Sequence, residues 1–329
     1  MRIVVDLQAC QTPAMRNRGI GRYTLSHIKA LARCVGEHRL TLLLSNNFSD
    51  TIASLRNEFD GLVDPNEIRV FSTLGQLTDI GPSNRWRHDA AQRVYQDFAR
   101  SLEPDVFHQG CLFDALSESV TGILAGTRAI NSVTLYDLIP YQYPDRYLSD
   151  ESMRDWYLRK MQTLKNADLL LGISESSRRE AIDLLGLPAD RVRNISSAIG
   201  EHFRKREVLP SRAAELRSRY GLQGNFVMYT GGIDFRKNIE GLLSAYGQMP
   251  PAMREHYQLA VVCNVDETSR QRLQREAHAA GIALGRLVLT GFVPEDDLVD
   301  LYNLAGLFVF PSIHEGFGLP ALEAMACGT

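Results

Sequence analysis

No stretch of this chain approaches the ~18 consecutive apolar residues of a membrane-crossing helix. The opening Met1-Arg2-Ile3-Val4-Val5-Asp6 is too short an apolar run for the core of a secretory leader. Cysteine is scarce: Cys10, Cys34, Cys111, Cys263 and Cys327 are scattered, odd in number and without C-x-x-C spacing. That excludes a disulfide frame or a zinc ribbon, and it reads as reduced thiols in a cytosolic protein. The sequons at Asn47 and Asn194 are accordingly read as chance. Positive charge is not in excess either. Lys and Arg number 36 against 39 Asp and Glu, a net charge of −3, and such a balance argues against nucleic acid as partner. Arg16 to Arg22 and Arg204-Lys205-Arg206 are short basic stretches, read as solvated surface.

Motifs are missing too. The chain has no G-x-G-x-x-G for a dinucleotide and no G-x-x-x-x-G-K-[ST] for a P-loop. It has no D-x-D and no His/Asp cluster at metal-ligand spacing, so no metal and no cofactor is expected. No nucleophile or paired acid/base carboxylates stand out, which leaves a double-displacement reaction unsupported.

What is present is alternation. Apolar runs at Ile3–Val5, Leu40–Leu44, Ile68–Phe71, Asp105–His108, Ala129–Leu135 and Leu169–Gly172 are strand-like, and Ile20–Leu31 and Arg87–Leu102 are helix-like. Around residue 200 the texture changes: 201–218 is highly charged and carries Pro210. The alternation then restarts with Phe226–Tyr229, Leu259–Cys263, Leu287–Leu289 and Leu307–Phe310, with helices from Asn238, Thr268 and Glu295 and after Gly318. At 329 residues, two domains are the natural prior. The reading is α/β with two Rossmann-like, doubly wound domains, 1–200 and 201–329. Four strands counted in the second are fewer than such a half normally holds, so it is read as truncated.

Two stretches carry chemistry. In Phe310-Pro311-Ser312-Ile313-His314-Glu315-Gly316-Phe317-Gly318-Leu319-Pro320 a strand runs into a glycine turn, and Pro320 opens a helix where its missing N–H costs nothing. The amides of Gly316, Phe317 and Gly318 with the helix start suit an anion or polarised oxygens. Glu315 sits in the turn and Glu323 two helical turns inward, an E-x7-E spacing suited to gripping two separate polyol groups. The second stretch is Gly231-Gly232-Ile233-Asp234-Phe235-Arg236-Lys237-Asn238, after a strand. Glycines let backbone approach phosphates, and Arg236 and Lys237 add a planar fork and a point charge. Two cations at a helix start are electrostatically unfavourable unless an anion joins them, and a diphosphate leaving group would gain from them.

Together these stretches resemble glycosyltransferase family 4, whose fold is the two-domain GT-B arrangement. Glu315-Gly316-Phe317-Gly318-Leu319-Pro320-Ala321-Leu322-Glu323 carries most of the resemblance. Arg18-Gly19-Ile20-Gly21-Arg22-Tyr23 is similar to that family's N-terminal glycine loop. The opening Asp6 to Gln11 with Arg16 to Tyr23 resembles bacterial mannosyltransferases of surface-polysaccharide assembly, some of them modules of longer multi-transferase chains.

The resemblance implies that Glu315 holds hydroxyls of the donor sugar and Glu323 those of the ribose. Arg236 and Lys237 would clamp the donor diphosphate, with Gly316, Phe317, Gly318 and Gly232 beside it. Gly19 and Gly21 would face the cleft, and His108 and Asp137 stand as acceptor-side candidates. His108 also reads as a satisfied strand-end histidine, and Asp137 as a turn residue before Pro140. The implied activity is metal-independent, retaining transfer of a hexose, mannose from GDP-mannose, onto an oligosaccharide or lipid-linked acceptor at the cytoplasmic face of a membrane, with peripheral association. Departures from the pattern are Tyr136 where many relatives carry His, Ser197-Ala198 where Asn-Gly is common, and Gly232 in place of a separate arginine. Two alternatives stay open: a non-catalytic module binding a sugar nucleotide or a partner enzyme, and a nucleotide-sugar epimerase of the same architecture.

Overall fold

The structure is a computed structural model describing residues 1–329. The chain divides into two compact units, Met1–Ser197 and Ala198–Thr329. Unit 1 holds β1 (Arg2–Asp6), β2 (Arg39–Ser45), β3 (Ile68–Phe71), β4 (Val106–Gln109), β5 (Ile130–Leu135), β6 (Leu169–Gly172) and β7 (Val192–Asn194). These form one seven-stranded sheet in the order β3-β2-β1-β4-β5-β6-β7, with every neighbouring pair parallel. Parallel strands buried on both faces must be apolar throughout, and Val4, Val5, Leu42, Leu43 and Leu44 are fully buried. Helices Gly19–Cys34, Ser49–Glu58, Arg85–Ser101, Glu151–Lys165 and Glu175–Leu185 make the crossovers. The β4–β5 connection is the exception, with no helix between Gln109 and Ile130. Its extended backbone is pinned from within instead: the amides of Val120, Gly122 and Leu124 donate to the side-chain oxygens of Gln8, Gln109 and Asn131.

Unit 2 holds β8 (Asn225–Thr230), β9 (Tyr257–Val262), β10 (Leu287–Leu289) and β11 (Leu307–Phe308). Their order is β10-β9-β8-β11, again all parallel. Helices Pro210–Tyr220, Ile239–Gly247, Glu267–Ala279, Glu295–Leu304 and Leu319–Cys327 surround the sheet. One face packs Phe226, Met228, Ala260 and Val262 against Leu301, Tyr302 and Ala324. The other packs Val227, Tyr229, Leu259 and Val261 against Leu242, Leu243 and Leu273.

The segment 201–218, read as a charged junction, is partly helical and belongs to the second unit. Arg206 and Arg212 within it, and Arg219 and Tyr220 just beyond it, reach the helix Glu295–Leu304. Asp297 accepts from Arg212, from Arg219 at 2.7 Å and from the Tyr220 hydroxyl at 2.5 Å. Asp300 takes Arg206 and Arg212 at 2.9 and 3.0 Å. The strand read at Leu307–Phe310 is shorter than its apolar run, because the Val309 amide makes the last bond to β8, to the Met228 carbonyl at 2.9 Å, before the chain enters the next turn. All five cysteines are unpaired, and no helix is long and apolar enough to cross a membrane.

Candidate active site

In both sheets the first strand lies between the second and the fourth, so the winding direction reverses there. Chain turns leave the carboxyl ends of the two strands at such a reversal in opposite directions and open a crevice. In unit 2 the reversal is at β8 and β11, and the turns that leave them are the two chemistry-bearing stretches. Asn238 joins them, its side-chain amide donating to the Pro311 carbonyl at 3.1 Å. The Ile313 amide donates to the Arg236 carbonyl at 2.7 Å.

The first turn is built by Asp234. Its carboxylate accepts from the Arg236 amide at 3.1 Å and pairs with the Arg236 guanidinium at 3.3 Å. That fixes a single 3₁₀ turn, Phe235–Lys237, ahead of the helix, which starts only after Asn238 in the left-handed conformation. The cations thus sit before the helix rather than in its first turn. They converge on Glu315: Lys237 Nζ lies 2.6 Å from Oε1 and Arg236 Nη1 3.0 Å from Oε2. Side-chain exposures of 12% for Lys237, 17% for Glu315 and 23% for Arg236 place these charges out of most water, where ion pairing and hydrogen bonding are strong. Arg236 also reaches the His314 carbonyl at 3.4 Å.

In the second turn Gly316 is buried and Phe317 is half-buried. Gly318 has φ +103°, a left-handed value that favours glycine, and it precedes the helix Leu319–Cys327. Glu323 lies inward on that helix, 7% exposed, and accepts from the Tyr302 hydroxyl at 2.9 Å. Gly232 is open: a Cβ built there meets nothing within 4 Å, while its carbonyl accepts from the Tyr229 hydroxyl.

The remaining candidates lie in unit 1. Gly19 opens helix Gly19–Cys34, and a Cβ on it would meet nothing. At Gly21 a Cβ would stand 2.4 Å from the Met15 carbonyl oxygen, so close backbone approach requires glycine there. His108 is interior to β4 and 5% exposed. Its Nδ1 is 2.8 Å from the Ser132 hydroxyl and its Nε2 3.1 Å from that of Thr134. Burial, and then the neighbouring His27, push its pKa down to about 3, so it is a neutral, hydrogen-bonded core histidine. Asp137 follows β5, half-buried, and accepts from the Ile139 amide at 3.1 Å. Tyr136, at the departure from the family pattern, puts its hydroxyl 2.6 Å from that of Thr24 on the glycine-loop helix. A hollow of about 980 Å³ between helices Arg85–Ser101 and Glu151–Lys165 lies over the helix-free connection; none of the candidates lines it.

Sequence reasoning gave no role to several residues that build these sites. Asp234 could have been found as an Asp two residues before the arginine whose amide it caps. Tyr302 has no signal, being 21 residues from Glu323. At the unit 1 reversal Asp6 is fully buried and accepts from Gln8, Tyr95 and Gln109. Burial outweighs those bonds and raises its pKa to about 6.

Two doubly wound units, with cations, carboxylates and glycine turns at the reversal of the second, make the two-domain GT-B fold. Solved structures with this fold include Anabaena HepE in complex with UDP-glucose, with TM-score 0.62 and 18% identity over 100% of this chain and 79% of that one. Sucrose-phosphate synthase from Thermosynechococcus elongatus gives TM-score 0.64 and 19% identity over 100% and 80%. Residues 214–329 match the family described as Glycosyl transferases group 1. The O-antigen chain mannosyltransferase B of Escherichia coli is 31% identical over all of this chain and 81% of its own length. The serotype-specific mannosyltransferase WbdA of Escherichia coli is 35% identical over all of this chain, which spans only 39% of that longer protein. The chain belongs to the group 1 family of glycosyl transferases.

Proposed function

We propose that this chain transfers mannose from GDP-mannose to a saccharide acceptor in polysaccharide assembly, with unit 2 holding the donor. The observation that carries this reading is the convergence of Arg236, Lys237 and Glu315 where the turns after β8 and β11 meet. Arg236 and Lys237 take the diphosphate and stabilise its charge as it departs. Glu315 accepts hydroxyls of the sugar, Glu323 accepts those of the ribose, and the backbone at Gly316, Phe317, Gly318 and Gly232 lines the phosphates. Gly19, Gly21 and Asp137 serve the acceptor side; His108 serves it only indirectly, through the strands it ties together.

The reaction retains configuration. The acceptor oxygen bonds to the anomeric carbon on the face the diphosphate leaves, and the hydroxyl proton passes to the departing phosphate oxygen. Positioning and charge stabilisation supply the rate, and no metal or cofactor enters. The acceptor is an oligosaccharide or a lipid-linked saccharide, met at the cytoplasmic face of a membrane by peripheral association. The partial span of WbdA supports a place as one module of a longer multi-transferase chain.

The test is incubation with GDP-mannose, UDP-glucose and ADP-glucose, each with and without mannose oligosaccharides, followed by product analysis. An α-mannosyl product formed only with GDP-mannose and acceptor is expected. An isomerised nucleotide sugar formed without acceptor would instead reveal an epimerase, and no turnover would sink the catalytic reading.

A further inference from the structure

We propose that Glu315 is the resident counter-ion of the empty diphosphate clamp, so that donor binding exchanges this carboxylate for phosphate and the sugar-less nucleoside diphosphate is held less tightly than the intact sugar nucleotide. The inference rests on the donor reading above. Each Glu315 oxygen holds one cation, Oε1 taking Lys237 at 2.6 Å and Oε2 taking Arg236 at 3.0 Å. This bridging geometry, one oxygen per cation, is what two phosphoryl groups of a diphosphate would need. Asp234, 3.3 Å from the Arg236 guanidinium, brings the four side chains to a formal charge of zero. A diphosphate therefore meets a neutral, mostly buried cluster, and its own charge lies against a carboxylate while Glu315 stays in place. Like charges sharing one site disfavour each other strongly where water is scarce.

Displacement leaves Glu315 needing new donors, because an unpartnered carboxylate out of water is costly. Sugar hydroxyls of the donor supply them. A nucleoside diphosphate without sugar does not, so Glu315 competes with the phosphates for Lys237 and Arg236 and weakens the hold on the product. One side chain thus holds the sugar in the loaded site and favours product release in the emptied one. The consequence for specificity is an intact sugar nucleotide bound more tightly than its nucleoside diphosphate.

The experiment compares the chain with its Glu315→Gln variant by calorimetric titration with inorganic pyrophosphate, GDP and GDP-mannose. Gln keeps the shape and removes the charge. Pyrophosphate and GDP should bind the variant about tenfold more tightly, as loss of about 1.4 kcal/mol of competing interaction gives, while GDP-mannose gains nothing. Pyrophosphate affinity unchanged or weakened, or pyrophosphate binding to neither protein, overturns the exchange. Pyrophosphate tightening with no binding of GDP or GDP-mannose upholds the exchange and sinks the donor reading, so the two failures are distinct. A thermal melt checks the variant's fold. Should it not fold, Glu315→Asp replaces it: one methylene shorter, it releases at least one cation, and pyrophosphate must again bind more tightly than to the unaltered chain.

Discussion

Replacing Asp297 by Asn should loosen unit 2 by a calculable amount. Asp297 lies on helix Glu295–Leu304 and joins it to helix Pro210–Tyr220 through Tyr220, Arg212 and Arg219. Its side chain is 6% exposed, against 29% for Arg212 and 48% for Arg219. Hydrogen bonds to a charged group are worth about 1.5–3 kcal/mol each when buried. Arg219 is half in water and is counted as nothing, since exposed pairs contribute little. The Tyr220 bond and the solvent-discounted Arg212 bond leave a loss of about 2–3 kcal/mol. In a unit of roughly 130 residues each kcal/mol moves the midpoint about 3–4 °C, so a fall of about 8 °C is expected.

The acid dependence gives a second handle. Burial alone would raise the Asp297 pKa, but the bonds from Tyr220, Arg212 and Arg219 outweigh it and lower the value. Its stabilisation is therefore complete above the ordinary carboxylate range and disappears as pH falls through the lowered folded value. Thermal melts of both proteins by circular dichroism at pH 7 and in acid should show a gap that closes in acid. A gap below about 2 °C at pH 7, or one that persists unchanged in acid, would mean that Asp297 does not hold the two helices together.

Other outcomes follow from single observations. Gly21→Ala drives a Cβ into the Met15 backbone and should cost about 2 kcal/mol or more, whereas Gly19→Ala meets open space and should leave urea midpoints unchanged or slightly raised. The His108 pKa is lowered to about 3 from 6.5, so the unfolded chain takes the proton first and stability falls by about 1.4 kcal/mol per unit as pH drops from 6.5 towards 3. Asp6, raised to about 6 from 3.8, acts with the opposite sign, losing stability as pH rises through about 6. The His108 contribution is accordingly read as the difference between His108→Asn and the unaltered chain, and equal pH slopes would contradict it. Tyr302→Phe removes the hydroxyl that orients Glu323. It should weaken GDP about tenfold, the effect of about 1.4 kcal/mol, while leaving pyrophosphate, which lacks ribose, unaffected in the same titration.

The alternation of apolar runs was readable because parallel strands are covered on both faces and must be apolar throughout; Leu40–Leu44, Ile68–Phe71 and Phe226–Tyr229 all fall within strands of the sheets. Helix Pro210–Tyr220 was not readable as such. Its buried apolar residues are Ala213 and Leu216, and its charged residues bind aspartates nearly 80 or more positions away. Without a wide apolar stripe, the 3.6-residue period carries little signal. The short β7 is likewise only three residues, too brief for a pattern. For the site, the glycine turns were visible because local backbone chemistry dictates them, and Glu315 and Glu323 because they lie close together in sequence across one turn and helix start. The pairing of Glu315 with Arg236 and Lys237 was not, since nothing local links residues 78 or 79 apart. It follows from strand order, which brings the turns after β8 and β11 together.

The most direct test of the central claim is calorimetric titration with GDP, UDP and ADP of the unaltered chain and of Arg236→Ala and Lys237→Ala. GDP is expected to bind, and each substitution to weaken it about a hundredfold, the effect of losing a charge-assisted contact of about 2.7 kcal/mol. Binding of none of the three nucleotides, or GDP affinity unmoved by either substitution, would contradict that claim.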